Sequence, residues 1–131
     1  MSGEPVPHPD GPAALLLSRD LIFTSKVTST ARALGAQVLT AGNTALASAM
    51  LASWRPRAVF VDLSAGDLVS PAALAAYRQI VPGVPFIAYG SHVDTESLAA
   101  AASAGCDPVL PRSRFVAELP ELIRRHLLAE A

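Results

Sequence analysis

The sequence has few cysteines, charges and aromatic side chains. Cys106 is the one cysteine, so no disulfide can form within the chain, and no basic stretch followed by an apolar segment marks it for export. Charged residues make up 16% and aromatic residues 5%, with a net charge of −1, which offers nucleic acid neither attraction nor a stacking surface. No apolar run approaches the ~20 residues that a membrane span needs. We therefore expect a cytoplasmic protein that binds neither nucleic acid nor membranes.

The length and the proline distribution predict the domain organisation. A chain of 131 residues can bury one core of ordinary size, which indicates a single domain. Residues 1–12 carry four of the eleven prolines and too few apolar side chains to offset the cost of ordering. The sequence thus predicts a disordered proline-rich leader over 1–12 and one folded domain over 13–131.

Short apolar runs alternate with segments of helical periodicity along the domain. The runs predict strands at 13–17, 37–40, 58–62, 84–89 and 108–110. The segments predict helices at 21–34, 45–54, 70–80, 95–104 and 115–128, the last with Pro120 in or near its first turn. Five such repeats indicate a doubly wound, three-layer α/β fold. We expect a flavodoxin-like parallel sheet in the strand order 2-1-3-4-5.

Asp62, at the end of the third run, is the residue around which the candidate site is predicted. In open α/β sheets, ligands bind at the carboxyl ends of the strands where the strand order reverses. The predicted order makes strands one and three neighbours, so Ser18, Arg19 and Asp62 should converge there. The rim should be formed by residues that follow strands four and five, namely Gly90, Ser91 and Arg112.

The order of these features, together with the alanine-rich stretch 98–107, resembles the receiver domain of bacterial response regulators of the chemotaxis type, over 13–128. In that family an acidic pair after strand one holds Mg²⁺, and an aspartate at the end of strand three accepts a phosphoryl group. A Ser or Thr ends strand four, and a lysine follows strand five. The resemblance implies that Asp62 occupies the phosphoacceptor position.

The other positions depart from the family pattern. The acidic pair is replaced by Ser18 and Arg19, and the lysine by Arg112. Gly90 stands at the Ser/Thr position, with Ser91 one residue late. Mg²⁺ requires several oxygen ligands, whereas Arg19 would bring a permanent positive charge and could pair with Asp62 instead. Alternatively, Arg112 or backbone N–H groups hold the Asp62 carboxylate. We expect a degenerate pocket without a metal or cofactor.

The resemblance and these departures lead to two hypotheses about function. The first is a stand-alone pseudo-receiver, not an enzyme and without catalytic residues, that signals through protein–protein interaction independently of phosphorylation. The alternative is a working receiver that a histidine kinase phosphorylates on Asp62 with Mg²⁺ as cofactor. A small ligand-binding flavodoxin-like protein is less favoured, because no glycine-rich phosphate loop follows strand one.

The carboxy-terminal part of the chain is the predicted partner face. Basic residues follow strand five, and in receivers the side formed by helix four, strand five and helix five is where partners and dimer mates dock. The expected partner is a kinase, a regulator or another signalling protein in trans, or a second copy of the chain. The residues assigned to this face are Leu98, Val109, Arg112, Arg114, Arg124 and Arg125. Alternatively, Arg124 and Arg125 only complement the negative end of the last helix.

Overall fold

Five parallel strands form one sheet in the order β2-β1-β3-β4-β5 in the computed structural model, which describes residues 6–129. The strands are β1 (Ala13–Leu17), β2 (Gln37–Ala41), β3 (Ala58–Asp62), β4 (Phe86–Gly90) and β5 (Val109–Pro111). The helices are α1 (Leu21–Ala33), α2 (Thr44–Ser53), α3 (Pro71–Ile80), α4 (Thr95–Ser103) and α5 (Arg112–Ile123). A 3₁₀ helix over Gly66–Val69 precedes α3, and a π-helical segment over Arg124–Leu128 follows α5. The predicted flavodoxin-like sheet with five helices is confirmed.

The central strands are buried on both faces, as their unbroken apolar sequences predict. Every residue of β1, β3 and β4 is buried. Alternate residues enter two separate cores, so that Leu15 and Val59 pack on one face of the sheet while Leu16 and Phe60 pack on the other. With one core on each face of the sheet, the fold has three layers. Polar groups that could bind a ligand therefore lie at the carboxyl ends of the strands and not on the faces of the sheet.

Side-chain caps determine where four of the helices begin. Asn43, Ser70 and Asp94 each accept a hydrogen bond from a backbone N–H in the first turn of α2, α3 and α4. A polar side chain at this position satisfies a backbone N–H that has no partner within the helix. Asp20 caps α1 in the same way, by accepting from the backbone N–H of Phe23. Its carboxylate is thereby held at the edge where Asp62 lies.

The buried side of α1 agrees only in part with the helical pattern over 21–34. Of the apolar residues that define this pattern, Val27 and Ala31 are buried, but Leu21 and Ile22 are 83% and 87% exposed. Phe23, four residues before Val27, completes the buried stripe. The large aromatic ring of Phe23 fills the core, and the two residues before it are turned towards solvent.

The last helix begins at Arg112, three residues earlier than predicted. This early start follows directly after β5 and brings Phe115 into the core, where it is fully buried. Pro120 therefore lies inside α5 and not in its first turn. Proline lacks a backbone N–H and cannot make the hydrogen bond expected at that place.

The predicted leader is described only from residue 6 onward, and residues 1–5 lie outside the described residues. Trp54 Nε1 donates a hydrogen bond to the carbonyl of Pro7 at 3.0 Å, and Val6 packs against the core. The backbone N–H of Asp10 donates to Gln37 Oε1 at 2.9 Å. Residues 6–10 thus contact the domain. Across residues 6–129, none of the helices has the length and apolar character needed to cross a membrane.

Candidate functional site

The carboxylate of Asp62 is buried at the end of β3, and only 1% of the residue is exposed. Its Oδ2 accepts a hydrogen bond from Ser18 Oγ at 2.6 Å. Its Oδ1 accepts from the backbone N–H of Ser64 at 2.9 Å and from Ser64 Oγ at 2.6 Å. Arg112 Nη2 lies 4.0 Å from the same oxygen. A buried carboxylate requires such compensation, because burial removes it from water.

Ser18 connects Asp62 to the start of α1. The Ser18 hydroxyl is buried with the residue, donates to Asp62 and accepts from the backbone N–H of Asp20 at 3.1 Å. Hydrogen bonding from the backbone N–H of Phe23, opposed by desolvation and aided by the Arg112 guanidinium, lowers the pKa of Asp20 from its ordinary value. Ser18 thus supplies a hydrogen-bond donor at a position where the family resemblance implies a metal-binding acid.

Arg19 points away from Asp62, and the predicted ion pair between them is wrong. Its Nη1 lies 3.0 Å from Asp67 Oδ1 and donates to the carbonyl of Ala65 at 3.0 Å. Its Nε donates to the carbonyl of Gly42 at 2.8 Å. Three acceptors from two loops hold the guanidinium outside the pocket. Asp62 meanwhile obtains its partners from Ser18, Ser64 and Arg112.

Arg112 is the cation that lies nearest to Asp62 among the described ion pairs. In addition to its 4.0 Å approach to Asp62, its Nη1 lies 3.5 Å from Asp20 Oδ2. The guanidinium carbon lies 4.8 Å from the ring centre of Phe23 and 5.9 Å from that of Tyr89. Aromatic faces attract a guanidinium at such distances. Two carboxylates and two rings therefore hold Arg112 at the position where the resemblance implies a lysine.

Tyr89 brings a hydroxyl into the interior beside this site. The residue is fully buried, and its ring stacks on Phe115 with 4.2 Å between ring centres. Its hydroxyl has no hydrogen-bond partner within residues 6–129. Burial, and then the charge of Asp62, raise the pKa of this phenol. Tyr89 therefore serves packing, at the cost of one unsatisfied polar group.

Replacing Tyr89 by phenylalanine should raise the free energy of unfolding by about 1 kcal/mol, because the unsatisfied hydroxyl no longer has to be desolvated. Urea unfolding measures the change. Tyr77→Phe is the matched control, since the Tyr77 hydroxyl is also buried but donates to the carbonyl of Leu68 at 2.7 Å. This control should lose about 1 kcal/mol. Equal losses in both variants would show that Tyr89 has a hydrogen-bond partner in solution.

Gly90 and Ser91 lie at the rim and do not hydrogen-bond Asp62. A Cβ on Gly90 would lie 3.2 Å from Leu63 Cβ, so a serine or threonine here would require Leu63 to move. Ser91 Oγ accepts from the backbone N–H of Val93 at 3.4 Å, a weak turn contact. Ser91 and Arg112 do share one cavity of about 330 Å³. The residues of the predicted rim therefore lie together beside Asp62. Gly90 and Ser91, however, donate no hydrogen bond to its carboxylate.

The residues at this edge do not fit Mg²⁺. Within residues 6–129 no three His, Cys, Asp or Glu side chains are grouped so as to hold a metal ion. The carboxylates near one another are Asp20 and Asp62, and Arg112 lies within 4.0 Å of both. Mg²⁺ demands near-octahedral oxygen coordination, and two carboxylates that already face a guanidinium offer too few free oxygen ligands for it.

Sequence reasoning missed two residues that define the site. Ser64 supplies two of the hydrogen bonds to Asp62, and a serine two residues after an aspartate is a known turn pattern that could have indicated this. Asp20 faces Arg112 while it caps α1. An aspartate immediately before a helical pattern is a capping signal.

The predicted partner face is divided between two ends of the molecule. Leu98 and Val109 are half-buried on α4 and β5, and Arg114 pairs with Glu118 within α5 at 2.5 Å. Arg124 and Arg125 lie past the far end of α5. Arg125 lines a different cavity, together with Arg55 and Arg57. The basic residues of the carboxy-terminal segment therefore do not form one surface.

Comparison with known proteins gives matches in structure only. No family model matches the chain, and no curated protein matches it in sequence. The receiver domain of the sensor histidine kinase PA1611 from Pseudomonas aeruginosa PAO1, which holds a magnesium ion in its active site cleft, is 20% identical with a TM-score of 0.75. That match covers 91% of this chain and 99% of the other.

Two further structures show the same likeness. A response regulator from Thermotoga maritima is 19% identical with a TM-score of 0.74, covering 91% of this chain and 99% of the other. A response regulator from Burkholderia pseudomallei, with a phosphorylated aspartic acid, is 16% identical with a TM-score of 0.69 over 89% of this chain and 74% of the other. The chain therefore has the fold of a CheY-like response-regulator receiver domain.

Proposed function

We propose that the protein is a pseudo-receiver, a signalling module that works through protein–protein contacts and is not switched by phosphorylation. The observation that carries the proposal is the bonding of Asp62, whose two carboxylate oxygens accept hydrogen bonds from Ser18 and Ser64 while Arg112 supplies positive charge. Phosphoryl transfer relies on metal or cationic groups placed around the transferred phosphoryl oxygens. Here the neighbouring donors already bind the acceptor carboxylate. The proposal contains no catalytic step and no cofactor.

The exposed apolar side chains at the same edge support a role in protein contact. Leu21 and Ile22 follow Asp20, which contacts Arg112, and Val93 follows His92, which lines the cavity beside Arg112. These three are the most exposed large hydrophobic residues of the described chain. Exposed apolar groups gathered near a charged centre are typical of protein interaction sites.

The partner is proposed to be another signalling protein in trans, such as a kinase or a regulator, or a second copy of this chain. Arg112 links these exposed apolar residues to the surface formed by α4, β5 and the start of α5. That surface carries Leu98, Val109, Arg112 and Arg114. A partner surface with apolar and acidic side chains would complement this combination.

Incubation with acetyl phosphate and Mg²⁺, followed by intact mass spectrometry, tests the proposal. We expect no phosphoryl adduct on the purified protein under conditions that label a working receiver in a parallel sample. A stoichiometric adduct that is absent from Asp62→Asn would instead establish the alternative, a phosphoacceptor receiver. The Asp62→Asn sample also separates labelling at this residue from labelling elsewhere.

A further inference from the structure

A second cavity, of about 540 Å³, lies at the amino-terminal edge of the sheet, opposite Asp62. The segments before β3 and before β4 meet the carboxyl end of the last helix there. Three arginines line it, namely Arg55, Arg57 and Arg125, together with His126. We call it the arginine cavity.

Two of the guanidinium groups are positioned by backbone carbonyls. Arg55 Nη2 donates to the carbonyl of Pro82, and Arg57 Nη1 donates to the carbonyl of Ala129 at 3.2 Å. Each guanidinium has five N–H donors, so most of the donors are not used by these bonds. Arg55 and Arg57 are thus held in place, and each keeps N–H donors that can bind a ligand.

No carboxylate of the described chain balances these charges. Within residues 6–129, no Asp or Glu oxygen lies within 4.0 Å of a guanidinium nitrogen of Arg55, Arg57 or Arg125. These three guanidinium groups therefore have no ion-pair partner among residues 6–129. Burial, and then the neighbouring charge of Arg125, lower the pKa of His126. Like charges around one cavity repel, and a bound anion would relieve that repulsion.

We propose that the arginine cavity binds a compact phosphate chain, either free pyrophosphate or the diphosphate group of a nucleotide. A guanidinium binds phosphate through two parallel hydrogen bonds, and neighbouring phosphate groups concentrate several negative charges in the small space that the three arginines surround. Pro56 and Pro85 provide apolar walls. The volume lies in the range of ~300–1,000 Å³ found for small-molecule sites. This binding function is independent of the Asp62 edge and of the proposed signalling function.

Isothermal titration calorimetry of the full chain with pyrophosphate tests the proposal, and adjacent arginines provide matched variants. Arg125→Gln should weaken binding about tenfold, because it removes charge-assisted hydrogen bonds from the cavity. Arg124→Gln removes the same charge from the same turn, but Arg124 does not line the cavity. Its affinity should stay within about twofold of the unchanged protein, since only long-range, salt-screened attraction is lost. Circular dichroism of both variants verifies that the fold is kept.

Titrations with ADP and with pyrophosphate distinguish a nucleotide from a free phosphate chain as the ligand. Tighter binding of ADP than of pyrophosphate would assign the cavity to nucleotides, and equal binding would assign it to the free phosphate chain. The proposal is overturned if millimolar pyrophosphate gives no saturable heat, or if both arginine variants lose affinity equally. Tighter binding of an aspartate-rich peptide than of pyrophosphate would also overturn it, in favour of a protein ligand.

Discussion

Replacing Ser18 and Arg19 together by aspartate is expected to give a protein that acetyl phosphate labels on Asp62 in the presence of Mg²⁺. The double variant removes the hydroxyl that donates to Asp62 at 2.6 Å and supplies two carboxylates at the edge where β1 and β3 end. Three acidic groups at one edge can offer the oxygen ligands that Mg²⁺ requires. Intact mass spectrometry should show the adduct in the double variant and none in the unchanged protein.

Neutral replacements at the same two positions provide the control. Ser18→Asn with Arg19→Gln removes the hydroxyl and the charge without adding carboxylates, and it should remain unlabelled. Adding Asp62→Asn to the aspartate variant should abolish its label. Equal labelling of the neutral and acidic variants would mean that the side chains of Ser18 or Arg19 only obstruct a site that needs no acidic pair. That result would contradict the proposal that the missing acidic pair prevents phosphorylation of Asp62.

Asp62→Asn is expected to lower the free energy of unfolding by about 2–3 kcal/mol, because an amide group cannot accept all the hydrogen bonds that the buried carboxylate accepts and leaves Arg112 with less compensation. Ser18 Oγ and both donors of Ser64 point at the carboxylate. One of them would face the amide NH₂ group. Chemical denaturation with urea measures the difference.

Asp67→Asn is the control for that measurement. Asp67 also pairs with an arginine, at 3.0 Å from Arg19, but its side chain is 82% exposed. Ion pairs at the surface contribute little, so its effect should stay within about 0.5 kcal/mol. If Asp62→Asn changed stability no more than Asp67→Asn, or increased it, Asp62 would not have the structural role assigned to it.

The elements of the fold could be predicted because their signals are local. The run over 58–61 is apolar throughout, as expected of a strand buried on both faces. Asn43 and Ser70 precede helical patterns and cap them, since a side-chain oxygen there satisfies a first-turn N–H. These features depend on neighbouring residues in the sequence and need no knowledge of tertiary contacts.

The hydrogen-bond and ion-pair partners of Arg19 could not be predicted from local signals. Sequence order places it beside Asp62 at the end of neighbouring strands, but its partners are the carbonyls of Gly42 and Ala65 and the carboxylate of Asp67. These acceptors come from two loops whose relative position is set by tertiary packing. Which acceptors a long flexible side chain contacts is determined only once the fold has brought these loops together. Of the two arginines that the sequence offers as partners of Asp62, Arg112 makes the closer approach.

The start of α5 was misplaced for a related reason. Proline is common in the first turn of a helix, which favours a helix start at residue 115, close before Pro120, over an earlier one. Tertiary packing outweighs this preference, because Phe115 stacks on Tyr89 and meets Phe60 with 5.5 Å between ring centres. The buried aromatic cluster fixes the helix start at Arg112, and the proline is accommodated inside the helix.

A Mg²⁺ titration followed through the backbone amide signal of Ser64 by NMR tests the central claim most directly. The Ser64 N–H donates to Asp62 at 2.9 Å, so its chemical shift reports any cation that binds this carboxylate. We expect no saturable shift up to millimolar Mg²⁺, because Ser18, Ser64 and Arg112 already surround Asp62. A saturable shift of the Ser64 and Asp62 amides at submillimolar Mg²⁺ would contradict the account and indicate a working receiver site.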